Sequence, residues 1–300
     1  MKRIKITIAV TVLVLSASLA LLAVPAAGQR DGMELIYDSL DTILRDLQTY
    51  DFAAGVGAPM RLRAYVFSHK DNAQARKETE AALLKFIQGS PAPAPGGLMA
   101  ACRALRLVGG PDSVPVLAAL ALKPDTTDAA RYALERIPGG EADRALVEAL
   151  GKATGAIRRG IVFSLGERKT AAAVPALAGL AGGKDPALAA DAVKALGKIG
   201  GPDAVKALVA TLGKAGAALK SEAASALLLA AEGLLAAGDK AAAATLYDKV
   251  FAANVSQVSR QAAFKGKLAA ADDARATVLK LARKIQPLSE REGFLQPVFA

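Results

Sequence analysis

The stretch that decides the fold is Ala192-Val-Lys-Ala-Leu196-Gly-Lys-Ile-Gly-Gly-Pro-Asp203-Ala-Val-Lys-Ala-Leu208. Its apolar residues are spaced as on one face of a helix, on both sides of a Gly-Gly-Pro-Asp break. Glycine ends a helix in the left-handed conformation, proline fits the first turn of the next helix, and aspartate favours a helix N-terminus. The stretch therefore predicts two antiparallel helices joined by a tight turn.

The same pattern recurs at a nearly constant interval along residues 98–217. Its first leucines are Leu105, Leu134, Leu165, Leu196 and Leu227, which lie 29, 31, 31 and 31 residues apart. A second set, Leu117, Leu146, Leu177 and Leu208, follows its partners by 12 residues each time. We term these two sets the leucine ladder. Such a period is typical of a solenoid, in which each helix pair buries its apolar side against its neighbours.

The pattern Ala-x-x-Ala-Leu-x-x-Ile-Gly-Gly-Pro-Asp-Ala-Val-x-x-Leu resembles the HEAT repeats, and in particular the short HEAT-like repeats of the phycobilin-lyase type. The resemblance covers residues 98–217 and implies an all-α solenoid, a right-handed superhelix of the HEAT-like or armadillo type. The third unit departs from it, because Gly166-Glu167-Arg168-Lys169 replaces the Gly-Gly-Pro-Asp turn. The chain also resembles the N-terminal part of longer exported bacterial HEAT-repeat proteins.

Helical patterns flank the repeats on both sides. Residues 29–97 predict an N-terminal helical segment, with helices at 32–49, around Met60 to Tyr65 and at 73–88, followed by an extended proline-rich linker at 90–97. Residues 218–285 predict divergent helix pairs, of which 230–251 resembles a tetratricopeptide unit; a lengthened HEAT-like unit is the alternative. The tail 286–300 shows no repeat.

The N-terminus is typical of an export signal. Lys2, Arg3 and Lys5 precede an apolar run from Ile6 to Ala27, and residues 25–28 supply the small residues of a cleavage site. The sequence therefore predicts a signal peptide at 1–28 and a periplasmic or extracellular protein. An uncleaved inner-membrane anchor is the alternative, because the run is long enough to span a bilayer.

Residue types that carry chemistry are scarce. The chain has one histidine, His69, and one cysteine, Cys102, so neither a zinc site of ordinary spacing nor a disulfide can be assembled. Gly55-Val-Gly57 lacks the third glycine of a dinucleotide fingerprint and is a turn. We therefore expect a protein that is not an enzyme, with no catalytic residue, no metal and no cofactor.

Basic residues are the remaining candidates for a binding surface. The net charge is +10, and it falls to +7 once Lys2, Arg3 and Lys5 are removed with the signal. A basic surface is predicted at Arg158, Arg159, Arg168, Lys169, Lys280, Arg283 and Lys284. The alternative is an ordinary solvated helix face. Aromatic residues make up 4% of the chain, too few to interleave with basic side chains for base stacking, so no nucleic-acid partner is expected.

These features favour a non-catalytic scaffold for protein–protein interaction in the cell envelope or outside the cell. The second helices of successive units are expected to line the concave side and to present the recognition surface. Two alternatives stay open. One is a binding module for an anionic polysaccharide or a lipid surface. The other is a lyase-like or chaperone accessory protein, which the phycobilin-lyase resemblance implies by fold analogy.

Overall fold

The computed structural model describes residues 38–282, and in this part of the chain all regular structure is helical. Three helices precede the repeats: α1 (Leu40–Gln48), α2 (Gly57–His69) and α3 (Ala73–Ile87), with a 3₁₀ turn at Phe52–Ala54. Residues 32–37 of the predicted first helix lie outside the described residues, as do the predicted signal at 1–28 and the tail at 286–300.

The repeat region consists of four helix pairs. The first helices are α4 (Pro95–Val108), α6 (Thr127–Leu134), α8 (Gly155–Glu167) and α10 (Pro186–Ile199). The second helices are α5 (Val114–Ala121), α7 (Gly140–Lys152), α9 (Val174–Ala181) and α11 (Gly201–Lys214). Four further helices follow: α12 (Ala217–Ala236), α13 (Lys240–Ala252), α14 (Gln257–Ala270) and α15 (Ala274–Ala282).

The repeats stack in two layers. Each first helix packs against the next first helix along the chain, from α4 to α14, and α5 packs on α7 and α9 on α11 in the second layer. The second helix of one unit also packs against the first helix of the following unit. This arrangement is that of an all-α solenoid, and it confirms the predicted fold class.

The leucine ladder forms the shared interior of these layers. Every one of its members is fully buried. Burial of one leucine side chain contributes about 1.5–3 kcal/mol. Alanine fills the space between the leucines, and its small side chain lets neighbouring helices approach closely. The 29- to 31-residue period is therefore the spacing at which one helix pair buries its apolar face on the next.

The turns between paired helices are not all built alike. In the fourth unit Gly200 and Gly201 adopt positive φ values of 68° and 77°, as the sequence predicts. The first unit has the same turn sequence, Gly109-Gly110-Pro111-Asp112, which predicts the same left-handed turn. Gly109 and Gly110 have negative φ values, so that prediction is wrong. Gly109 instead provides close approach, because an added Cβ would lie 2.5 Å from the Leu105 carbonyl oxygen.

The N-terminal segment packs directly on the first repeat. Helix α4 begins at Pro95, so the extended linker predicted at 90–97 ends at Ala94. A Cβ on Gly96 would lie 2.6 Å from Cδ1 of Tyr50, and one on Gly97 would lie 2.1 Å from the carbonyl oxygen of Leu47. The two glycines therefore let α1 lie against the backbone of α4.

A buried carboxylate fixes α3 to the same repeat. Glu80 lies on α3, and its Oε1 accepts hydrogen bonds from the Gly110 amide at 2.7 Å and the Ser113 hydroxyl at 2.5 Å. Arg76, one turn earlier, donates to the Val108 and Gly109 carbonyls. Together these contacts satisfy backbone groups left open by the turn of the first unit.

The C-terminal helices continue the stack with a longer unit. Helix α12 has 20 residues, and α13 packs against both α12 and α14. Tyr247 on α13 is buried against Gly266, where an added Cβ would lie 2.2 Å from its ring. The tetratricopeptide-like and lengthened-HEAT interpretations of 230–251 both predict a helix pair, and a pair is what the structure contains.

Candidate functional site

The predicted basic residues do not form one exposed surface. Arg168 is the clearest difference, because its side chain is only 8% exposed. Its Nε donates to Asp143 at 2.8 Å, and its Nη atoms donate to the carbonyls of Leu134, Ile137 and Gly139. Arg168 therefore binds the turn of the preceding unit and is removed from the candidate binding surface.

The other members are scattered. Arg159 forms a 2.6 Å ion pair with Asp191, whose hydrogen bond and charge raise the pKa of its guanidinium. Arg158 is half-buried, whereas Lys169 and Lys280 are exposed, the latter on α15. Arg283 and Lys284 lie outside the described residues. Of the five members that the structure describes, Arg159, Lys169 and Lys280 are exposed, whereas Arg158 and Arg168 are not.

The rare reactive side chains are held in structural positions. His69 stacks on Tyr65 with ring centroids 4.1 Å apart, and its Nδ1 lies 2.7 Å from the Tyr65 carbonyl oxygen. Cys102 is buried in α4, and burial raises the pKa of its thiol to about 12. Among the described residues no His, Cys, Asp and Glu side chains cluster in a way that could hold a metal ion.

A groove lies where the N-terminal segment meets the first helices of the array. It encloses about 780 Å³ between the Phe52–Ala54 turn and α2 on one side and α4 with α6 on the other. The lining residues are Tyr50, Phe52, Val56, Pro59, Met60, Leu62, Arg63, Val66, Phe67, Gly96, Met99, Ala100, Arg103, Ala104, Arg106, Leu107 and Tyr132. We term this site the N-terminal groove.

Its floor is built by the close packing described above. The Tyr50 ring lies over Gly96, and Ala100 and Ala104 continue the small surface along α4. Leu62 and Val66 of α2 are fully buried and hold that helix against the array. Because both walls are packed into the core, the groove is preformed in the free chain.

Large apolar side chains stand exposed around the rim. Met60 is 62% exposed and Tyr132 is 42% exposed, and Phe52, Phe67 and Leu107 are also exposed. A cluster of exposed apolar side chains marks an interaction site more often than single exposed residues do. In the units at 98–217 the exposed large apolar residues lie on the first helices, whereas the sequence led us to expect the recognition surface on the second helices.

The charged residues of the groove are all arginines. Arg63 comes from α2, Arg103 and Arg106 come from α4, and none of the described lining residues is Asp or Glu. The Arg106 guanidinium lies over the Tyr132 ring, with Cζ 4.3 Å from the centroid. Its Nε is buried and has no hydrogen-bond partner. The groove therefore combines apolar walls with unneutralised positive charge.

The repeat register could have indicated this site. Two residues before the first four first-set leucines the chain has Arg103, Tyr132, Phe163 and Lys194, and all four are exposed. Aromatic residues at a solvent-facing register are unusual, and that signal was missed. The opposite wall could not be found in this way, because α2 lies outside the repeats.

The family comparison agrees with this architecture. Residues 144–228 match the sequence model of the HEAT repeats. This stretch runs from α7 into α12 and includes the quoted Ala192–Leu208 pattern. The chain therefore contains HEAT repeats, and the resemblance inferred from the leucine ladder is confirmed.

The similarity to individual proteins is lower than the similarity to the family model. No curated protein matches the sequence significantly. The structure of the complex of CpcE and CpcF of phycocyanin lyase from Nostoc sp. PCC7120 is 19% identical, with 85% of this chain and 97% of that chain covered and a TM-score of 0.37. An engineered protein is 18% identical, with 84% of this chain and 75% of that chain covered and a TM-score of 0.40.

Proposed function

We propose that this HEAT-repeat protein is a non-catalytic scaffold that binds a protein partner through the N-terminal groove. The observation that supports the proposal is the exposed apolar rim of a preformed groove, formed by Phe52, Met60, Phe67, Leu107 and Tyr132. Apolar side chains held around a concave surface are the usual centre of a protein–protein interface. Solenoids use such extended surfaces for recognition.

The composition of the groove supports binding over catalysis. Its described lining contains no carboxylate, histidine, cysteine or serine, which are the side chains that most often act as general base or nucleophile. His69 is bonded to its own helix, and the Cys102 thiol stays protonated at neutral pH because its pKa is about 12. The arginines and tyrosines that remain can bind and orient a partner.

The proposed location is the periplasm or the outside of the cell. It rests on the basic start, the apolar run and the small-residue exit of residues 1–28. Within the described residues no helix is both long enough and apolar enough to cross a membrane. Fractionation of cells that express the full chain, followed by N-terminal sequencing, tests this proposal. A periplasmic product that starts near Gln29 supports a cleaved signal, whereas a membrane-bound product that starts at Met1 supports the anchor.

The binding role is tested by comparing three forms of the chain in affinity capture from the envelope fraction. The wild type is compared with Met60→Asp in the groove and with Val258→Asp, which alters another exposed apolar side chain on α14. We expect one stoichiometric partner with the wild type and with Val258→Asp, and loss of it with Met60→Asp. Equal recovery by all three forms contradicts the assignment of the groove, provided that their melting curves coincide.

A further inference from the structure

We infer that the N-terminal groove takes an acidic amphipathic helix of the partner, with carboxylates facing Arg63, Arg103 and Arg106 and apolar side chains entering between α2 and α4. This inference deepens the proposed function and rests on it. It names the chemistry of the partner segment, which the HEAT fold does not specify. Charge, apolar surface and wall geometry each point to the same occupant.

The charge of the groove is not balanced within the described chain. Arg63, Arg103 and Arg106 form no ion pair with any described carboxylate. Three acids of the helices that form the groove have other partners: Asp46 pairs with Arg61, Asp71 with Lys70 and Asp128 with Arg131. Three guanidinium groups that share one groove without a counter-charge favour a carboxylate-rich partner.

Arg106 provides the most specific contact. Its Nε is buried without an acceptor, and its guanidinium plane is held against the Tyr132 ring, with Cζ 4.3 Å from the ring centroid. Because Arg106 lines the groove and its guanidinium plane is fixed by the ring contact, its terminal N–H groups are the donors that an incoming carboxylate would meet. Arg103 lies three residues earlier on α4, so both side chains project on the same side of the helix. A carboxylate bound there can receive charge-assisted hydrogen bonds from one or both groups.

The apolar rim of the groove is complementary to the apolar face of an amphipathic partner helix. Met60 and Phe67 lie seven residues apart on α2, and Leu107 and Tyr132 lie on α4 and α6. Residues at i and i+7 lie on the same side of a helix two turns apart, so α2 presents an apolar edge about 10 Å long. Leucine-type residues at i, i+3, i+4 and i+7 of a partner helix would cover this edge and the α4 rim together.

The walls favour a helix over an extended strand. Both walls are helices, and the described part of the chain contains no strand edge to which a peptide strand could be added. A helix that lies in a groove between helices satisfies its own backbone hydrogen bonds and needs only side-chain contacts. Helix α2 has 13 residues, which corresponds to a length of about 20 Å at 1.5 Å per residue. A partner helix of three to four turns matches that length.

The test uses three designed peptides and the full-length chain. Each labelled peptide has about four helical turns with leucine at i, i+3, i+4 and i+7. Its flanking positions carry glutamate in the first peptide, glutamine in the second and lysine in the third. Fluorescence anisotropy at low and at physiological salt gives Kd for the wild type and for the Arg103→Gln/Arg106→Gln variant. Arg136→Gln is the matched control, because Arg136 is exposed and lies outside the groove.

We expect the glutamate peptide to bind the wild type at least tenfold more tightly than the glutamine peptide, and the lysine peptide not to bind. The preference should shrink as salt rises. It should disappear in Arg103→Gln/Arg106→Gln, with the weaker binding of the glutamine peptide retained, and persist in Arg136→Gln. Retained binding of the glutamine peptide shows that the variant is folded.

Several results would overturn the inference. Equal affinity for the glutamate and glutamine peptides removes the acidic specificity but leaves apolar groove binding, and with it the proposed function, intact. If no peptide binds although Met60→Asp abolishes capture of a partner, the helical occupant is wrong. Vesicles of phosphatidylcholine with phosphatidylglycerol form a separate arm. The groove binds an anionic lipid surface if these vesicles bind the wild type but not the Arg103→Gln/Arg106→Gln variant, and if none of the peptides binds.

Discussion

The second and the fourth repeats present the same backbone surface with different chemistry. Tyr132 and Lys194 occupy the same register, two residues before a buried ladder leucine, and both are exposed. Around Tyr132 the arginines of the groove have no described carboxylate partner. Around α10 the charges are paired between neighbouring first helices, as in the Arg159–Asp191 pair at 2.6 Å and the Lys194–Glu222 pair at 3.6 Å.

Phe163 in the third unit marks the transition between these two regions. It is an exposed aromatic residue like Tyr132, but Lys198 lies 4.6 Å from its ring centroid and also pairs with Glu167. The positive charge of Lys198, which lies over the Phe163 ring, is therefore neutralised by Glu167. The buried leucines therefore determine how the helices pack. The exposed position two residues before each leucine can vary, so one unit carries ion-paired charges there and another carries part of a groove.

The stability of the chain should fall most when the contact between α1 and α4 is disrupted. In Gly97→Leu the new Cβ would lie 2.1 Å from the Leu47 carbonyl oxygen, and this atom is backbone that cannot rotate away. We expect a loss of at least about 3 kcal/mol in stability, because overpacking displaces α1 from α4. Thermal unfolding measures the loss, and binding of the glutamate peptide should fall with it.

Gly213→Ala is the control for that substitution. Gly213 lies inside α11 with no heavy atom within 4 Å of an added Cβ, so alanine should stabilise the helix by about 0.5–1 kcal/mol. A Gly97→Leu chain as stable as the wild type would show that the N-terminal segment does not depend on close contact with the first repeat.

The next effect concerns the arginine that joins the second and third units. Arg168→Met removes hydrogen bonds to Asp143 and to three carbonyls of the preceding turn while keeping much of the side-chain volume. Hydrogen bonds to charged groups contribute about 1.5–3 kcal/mol, so we expect a loss of about 2 kcal/mol. Urea unfolding measures the loss, with the exposed Arg136→Met expected to change stability by less than about 0.5 kcal/mol. Equal effects of the two substitutions would contradict a structural role for Arg168.

A smaller effect tests the comparison of registers directly. Tyr132→Lys places in the N-terminal groove the residue that the fourth unit has at that register, and it removes the ring over which Arg106 lies. We expect binding of the glutamate peptide to weaken about tenfold, which corresponds to about 1.4 kcal/mol. The reciprocal change, Lys194→Tyr, should not create binding, because α2 packs on α1, α3 and α4 and no other described helix takes its place against α10. Unchanged affinity in Tyr132→Lys would show that the rim above α6 makes no contact.

The array itself could be predicted from the sequence because its signal is local and repeated. The spacing of the leucines gave both helices of every unit and the identity of the buried side chains. The repeat also indicates that one of the predicted surface arginines is buried. Three residues after the first-set leucines the chain has Val108, Ile137, Arg168, Ile199 and Ala230, so an arginine occupies an otherwise apolar position. An inward role for Arg168 follows from that register, although it was predicted as a surface residue.

The groove could not be predicted because it depends on contacts between distant parts of the chain. Its walls come from residues 50–67 and from residues 96–132, and they meet only because Gly96 and Gly97 admit Tyr50 and Leu47. In the sequence those glycines follow three prolines that alternate with alanines, a pattern that predicts an extended linker. No local pattern shows which face of α4 a preceding helix will cover.

The smallest effect tests a turn that the third unit builds without glycine. Lys169 has φ 55°, and the amides of Lys169 and Thr170 donate to the carbonyls of Gly166 and Leu165, which is the Schellman arrangement at a helix end. After α12 the same arrangement has Gly238 at φ 87°. A left-handed residue with a side chain costs about 1–2 kcal/mol, and glycine gives back part of this gain through its larger entropy when unfolded.

We therefore expect Lys169→Gly to stabilise the chain by roughly 0.5–1 kcal/mol and to raise Tm by about 2 °C. Gly238→Lys should lower Tm by a similar amount, because it places a side chain in the same conformation. Both positions are exposed, so the two changes are expected to act in opposite directions. Differential scanning calorimetry of both variants tests this: a lower Tm for Lys169→Gly together with a higher Tm for Gly238→Lys would mean that the lysine charge at the helix C-terminus, and not the backbone conformation, sets the stability of these turns.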